Sequence, residues 1–118
     1  MSYPVVTAEP DTCHEGSVRN LMGDDPSGDA RDGFSIEKRV SSNTPPVFLW
    51  HTADDAAVPV DNAFLMAQAL GRAGVEYELH IFPEGEHGLG LCSVDVRRNQ
   101  YVGRWRELCA QWLERQGF

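Results

Sequence analysis

Two short loops hold the residues whose types and spacing could do chemistry in this 118-residue chain. The first reads His51-Thr52-Ala53-Asp54-Asp55-Ala56-Ala57-Val58-Pro59, and the second Phe82-Pro83-Glu84-Gly85-Glu86-His87-Gly88-Leu89-Gly90. Taken alone, the paired carboxylates read as turn caps, because Asp side chains bond their own backbone in turns. His87 alone reads as an exposed loop residue. Together the loops offer a carboxylate and an imidazole, and an Asp that holds a His Nδ1–H is half of a nucleophilic triad. Such a histidine takes a proton from an attacking hydroxyl and returns it to the leaving group. Glycines beside His87 allow a backbone that other residues would resist.

The segments around these loops are of the kind that would bring them together. Residues 47–51, Val-Phe-Leu-Trp-His, form a nearly continuous apolar run, which suits a strand buried on both faces. Ala63, Met66, Ala67 and Leu70 repeat with helical spacing and predict a helix over 61–73, with Gly74 as its stop. Residues 77–82 read as a second strand. A last helix is expected over about 95–116, with Trp105, Leu108, Cys109, Trp112 and Leu113 on one face and Gly117 at its end. Towards the N-terminus, residues 3–7 read as the end of a further strand and residues 17–22 as a short helix stopped by Gly23. Residues 24–28 read as a turn or loop, and Ser35 as the cap of a brief helix. Strand, helix, strand, helix is α/β architecture, here with about three parallel strands and flanking helices. One right-handed βαβ step separates the two loops, so they should emerge side by side at the strand ends where open parallel sheets bind ligands.

On these residues a resemblance becomes specific. His51-Thr52-Ala53-Asp54-Asp55 followed by Val58-Pro59 resembles the H-G-x-x-D-x-x-V-P region of prolyl-oligopeptidase-like and acetylxylan-esterase-like α/β-hydrolases, with Thr52 where many relatives have glycine. Glu86-His87-Gly88 resembles their catalytic-histidine motif. His14-Glu15-Gly16-Ser17 and Trp50-His51-Thr52 are similar to a bacterial branch of xylan or feruloyl esterases. The resemblance implies a partial α/β-hydrolase fold that enters the sheet at its sixth strand. It also implies a triad Asp at the first of the two carboxylates, Asp54, paired with His87. Residues 1–118 would then be the C-terminal portion of one hydrolase domain. The order Asp before His, with serine earlier, is that of α/β-hydrolases.

No G-x-S-x-G occurs in the chain; Ser17, in Glu-Gly-Ser-Val-Arg, is the nearest imitation. The resemblance implies the function of a serine-type carboxylic-ester hydrolase, acting on a small ester or an acylated carbohydrate, for which this chain supplies only Asp and His. By itself the chain is expected to be inactive. The alternative is a catalytically inactive truncated product, or a partner that completes another chain's sheet and self-associates through an uncovered edge.

Composition narrows the remaining classes. Apolar residues make up 42% and charged residues 24% of the chain, the balance of an ordinary globular domain. A formal net charge of -8 argues against nucleic acid and anionic membrane as partners. No run approaches the ~20 apolar residues of a membrane span. Three cysteines without CxxC spacing, and an N-terminus without signal-peptide features, lead to an expected cytoplasmic location with free thiols. No cofactor and no metal is implied: His14-Glu15 and His51 with Asp54 lack zinc-ligand spacing. A flavodoxin-like magnesium module would need a further acidic or lysine site that the sequence does not offer.

Overall fold

The computed structural model describes residues 1–24, 26–92 and 101–118. The core is a parallel pair of strands, β1 (Val47–Thr52) and β2 (Tyr77–Phe82), in register from Val47↔Tyr77 to Thr52↔Phe82. Helix α3 (Asp61–Arg72) makes the crossover between them. Side chains alternate along the strands. Leu49 faces a cluster with Met66, Leu70 and Val6, while Phe48 and Trp50 face one with Phe82, Val102, Trp105 and Trp112. Helix α4 (Trp105–Arg115) lies over the second cluster, and Trp50 stacks on Trp105 with ring centroids 5.3 Å apart. A sheet covered on both faces explains why the β1 sequence shows no polar alternation.

The helix expected over 61–73 forms with its apolar positions buried, and Gly74 at φ +69 ends it. The expected last helix is seen from Trp105 to Arg115; its proposed start, residues 95–100, lies outside the described residues. Leu113 is not on the packed face but 38% exposed.

Several expectations for the N-terminal part need correction. The third strand is reduced to a single parallel bridge, Ser2↔Trp50. Trp50 N–H donates to Met1 O and Tyr3 N–H to Trp50 O, after which the chain leaves the edge at Tyr3 (φ +33) and Pro4, which has no N–H to donate. The next amides are taken by side chains: Val6 and Thr7 donate to Asn62 Oδ1, and Ala8 to Ser35 Oγ. Ser35, expected as a cap, makes no capping bond to the 3₁₀ turn Ile36–Arg39; its buried hydroxyl also donates to Arg31 O. The stretch 24–28, expected as a turn or loop, gives way at its last residue to α2 (Gly28–Phe34), a helix the sequence did not predict, capped by Ser27 Oγ on Ala30 N–H. Its residues show no apolar period, and none is buried. Helix α1 (Glu15–Met22) starts two residues earlier than expected because the His14 side chain accepts from Ser17 N–H.

Candidate active site

The two loops leave β1 and β2 at the same end of the sheet and are tied to each other by backbone and side chain. Ala53 N–H extends the pairing by one bond, to Phe82 O at 2.8 Å. Beyond it Thr52 Oγ1 donates to Gly85 O at 2.7 Å, and Gly85 N–H donates to Asp54 Oδ1 at 2.7 Å. Both polar groups of the Gly85 backbone are thus held by the β1 loop. The close approach requires glycine: a Cβ at position 85 would lie 2.8 Å from Thr52 Cγ2 and 3.0 Å from Leu89 Cδ1.

The carboxylate set against His87 is Asp55, and not Asp54 as the sequence reading expected. Asp55 Oδ2 lies 2.7 Å from His87 Nδ1. The reason is the turn that Asp55 itself organises, with Oδ1 accepting the N–H groups of Ala57 (2.8 Å) and Val58 (2.9 Å). This bond pair aims the second oxygen at the β2 loop, while Asp54 turns to Gly85. The motif spacing already contained this answer. Counted forward from His51 or back from Val58-Pro59, the Asp of H-G-x-x-D-x-x-V-P falls at position 55. Thr52 is the other residue whose part was missed: its hydroxyl joins the loops where glycine could not.

Burial raises the cost of charge on Asp55, whose side chain is fully covered. The Val58 N–H, the His87 ring and the Ala57 N–H outweigh that cost and hold the carboxyl below its usual range. Asp55 is therefore ionised at neutral pH and can only accept, so His87 Nδ1 is the donor and Nε2 is left as the basic nitrogen. The His87 side chain is 34% exposed. A buried anion holding a half-exposed imidazole is an arrangement able to pass protons at Nε2.

The remaining candidates serve structure. His51 is wholly buried; burial lowers its pKa, against the raising effect of its bond to Thr52 O. His80 Nε2 pairs with Glu78 Oε1 at 2.7 Å, and the ring lies over Phe48. Ser17 sits in the first turn of α1 with its hydroxyl 2.8 Å from His14 Nδ1. The three cysteines are free. Among the described residues no group of three His, Cys, Asp or Glu could hold a metal ion.

Residues 19–116 match the model of the prolyl oligopeptidase family. The chain belongs to that family. Among relatives of this family member, endo-1,4-beta-xylanase B of Butyrivibrio fibrisolvens is 45% identical over 79% of the chain and 14% of its own length. The acetylxylan esterase of Xylanibacter ruminicola is 34% identical over 75% of the chain and 19% of its own length. Of solved structures, an acetyl ester-xyloside bifunctional hydrolase from Caldicellulosiruptor lactoaceticus superposes with a TM-score of 0.91 at 48% identity. The match covers 99% of this chain and 41% of that one. The fold is therefore part of an α/β-hydrolase, as the resemblance of the two loops implied. The chain spans less than a fifth of the length of the two sequence relatives and less than half of the solved one.

Proposed function

We propose that this chain supplies the carboxylate–imidazole half of a serine-type carboxylic-ester hydrolase site. The observation that carries the proposal is the 2.7 Å bond from His87 Nδ1 to the buried Asp55 carboxylate. In this reading Asp55 fixes the tautomer and stabilises the imidazolium. His87 Nε2 takes the proton of a serine hydroxyl as it attacks the ester carbonyl, then gives it to the departing alcohol. Asp54 and Thr52 hold the histidine loop through Gly85. The serine and the oxyanion donors come from outside these 118 residues, in the part of a single hydrolase domain that this C-terminal portion completes. Relatives named for acetylxylan and for an acetyl ester-xyloside support a short acyl ester on a carbohydrate as substrate. Peptide hydrolysis has the weaker support, since it rests on the family name and on a relative of 33% identity, an acylamino-acid-releasing enzyme of rice.

A chimera tests the proposal. This chain replaces the matching part of the Caldicellulosiruptor hydrolase, and 4-nitrophenyl acetate is the substrate. Hydrolysis is expected, with His87→Ala lowering kcat by about 10³-fold or more. An active chimera that His87→Ala leaves unchanged would refute the assignment. The separate chain is expected to hydrolyse the ester no faster than buffer.

A further inference from the structure

The His87 ring touches a residue that neither loop contributes. Tyr3, at the edge of β1, places its ring 4.6 Å from the imidazole, centroid to centroid, at 64° between planes. The Tyr3 hydroxyl accepts the N–H of Gly90 at 2.9 Å, three residues after the histidine. On its other side the Tyr3 ring meets Trp50 edge-on at 4.8 Å, and Trp50 stacks on Trp105 of α4. The backbone reaches this place through a φ of +33, a value that costs a side-chain-bearing residue energy and is kept only where the surroundings impose it. Tyr3 N–H is anchored to Trp50 O.

We propose that Tyr3 is the positioning residue of His87: its ring forms the wall that fixes the imidazole plane, and its hydroxyl fixes the loop behind it. A line of rings, Trp105, Trp50, Tyr3, His87, thereby carries the rigidity of the core to the basic nitrogen. The Asp55 bond alone sets where Nδ1 sits but leaves the loop that carries the ring, and with it the ring plane, free to shift around that contact. Tyr3 removes this freedom, so that Nε2 is presented in one direction. The inference rests on the reading of His87 as general base, since positioning matters only if the ring acts.

Imidazole proton and nitrogen NMR on the full chain, combined with amide exchange, tests both layers separately. In the unmodified chain the His87 Nδ1–H should be visible and hydrogen-bonded; its absence would overturn the Asp55–His87 pairing and with it the reading beneath. Tyr3→Leu is expected to speed exchange of that proton at least tenfold, and to remove the ring-current shift of the imidazole carbon-bound protons. Tyr3→Phe, which keeps the ring, should restore both signals while exchange of the Gly90 amide rises about tenfold, the loss of one hydrogen bond. An unchanged His87 signal in Tyr3→Leu, with β1 and β2 amides still protected, would overturn the proposal. Should Tyr3→Leu lose that protection, the Gly90 amide in Tyr3→Phe decides, and unaltered exchange there overturns it equally.

Discussion

Asp54 and Asp55 are neighbours of identical chemistry with different tasks, and their partners separate them. Asp55 satisfies two backbone N–H groups and the His87 ring at once, from a fully covered position. Asp55→Ala is therefore expected to destabilise the chain by about 2–4 kcal/mol, since buried donors left without an acceptor cost far more than an average hydrogen bond is worth. Asp54→Ala, which loses the bond from Gly85 N–H at an exposed position, should cost about 1 kcal/mol or less. Urea unfolding of the two variants measures the difference, and equal losses would contradict it. Acid adds a second distinction. His51 has its pKa lowered by burial, so its neutral form contributes stability above its ordinary value near 6.5 that is lost as pH falls through the folded value. Asp55 is held below its usual range, so its contribution persists above the ordinary carboxyl value and disappears only as pH falls through the lower folded one. Thermal melts should show a first loss of stability beginning near pH 6, reduced in His51→Gln. A second loss should begin below about pH 4 and be reduced in Asp55→Asn, where the smaller share from Asp32, held down by Lys38, remains.

At the scale of elements, the site depends on how closely the β2 loop crosses the end of β1. Gly85→Ala would place a methyl 2.8 Å from Thr52 Cγ2. That carbon is not free to yield, because the hydroxyl on the same Cβ is bonded to Gly85 O. The substitution should destabilise by about 1–3 kcal/mol. Thr52→Ser, which keeps the hydroxyl and removes the methyl, should recover part of the loss in the double variant. A double-mutant cycle measures this coupling, and strict additivity would show the clash to be unimportant. What the sequence made legible follows the same division. The apolar run of β1 and the spacing of Ala63, Met66, Ala67 and Leu70 report burial, and burial sets those elements. Helix α2 buries no residue and is held by a serine cap, so no apolar period announced it. The pairing of His87 with Asp55 turned on local hydrogen bonds to Ala57 and Val58, which residue type does not reveal but motif spacing does. The bonds from the Val6 and Thr7 N–H groups to Asn62 Oδ1, which bend the N-terminal segment off the sheet, join residues more than fifty positions apart and left no mark in either segment.

At the scale of the whole molecule, the described residues leave a wide apolar surface open. Leu21 is 63% and Phe34 49% exposed, and with Val5 and Ile36 they line one concavity of about 290 Å³ beside α1 and α2. Beyond the bridge at Ser2 the edge next to β1 has no further strand among the described residues. Exposed apolar area and an open edge both favour association. The isolated chain is expected to self-associate in sedimentation velocity between about 10 and 100 μM, despite its net charge of -8. A sharp monomer throughout that range would contradict this. Among the described residues no helix is long and apolar enough to cross a membrane.

The assignment of the acid–base pair is tested most directly by exchanging one carboxylate at a time for its amide in the active chimera and comparing kcat. Asp55→Asn should lower kcat by about 10²–10⁴-fold, because an amide at that place no longer enforces the tautomer, while Asp54→Asn should lower it tenfold or less. The reverse order, with Asp54→Asn abolishing turnover and Asp55→Asn leaving it nearly intact, would show that the 2.7 Å contact between Asp55 and His87 is not the one that works in catalysis.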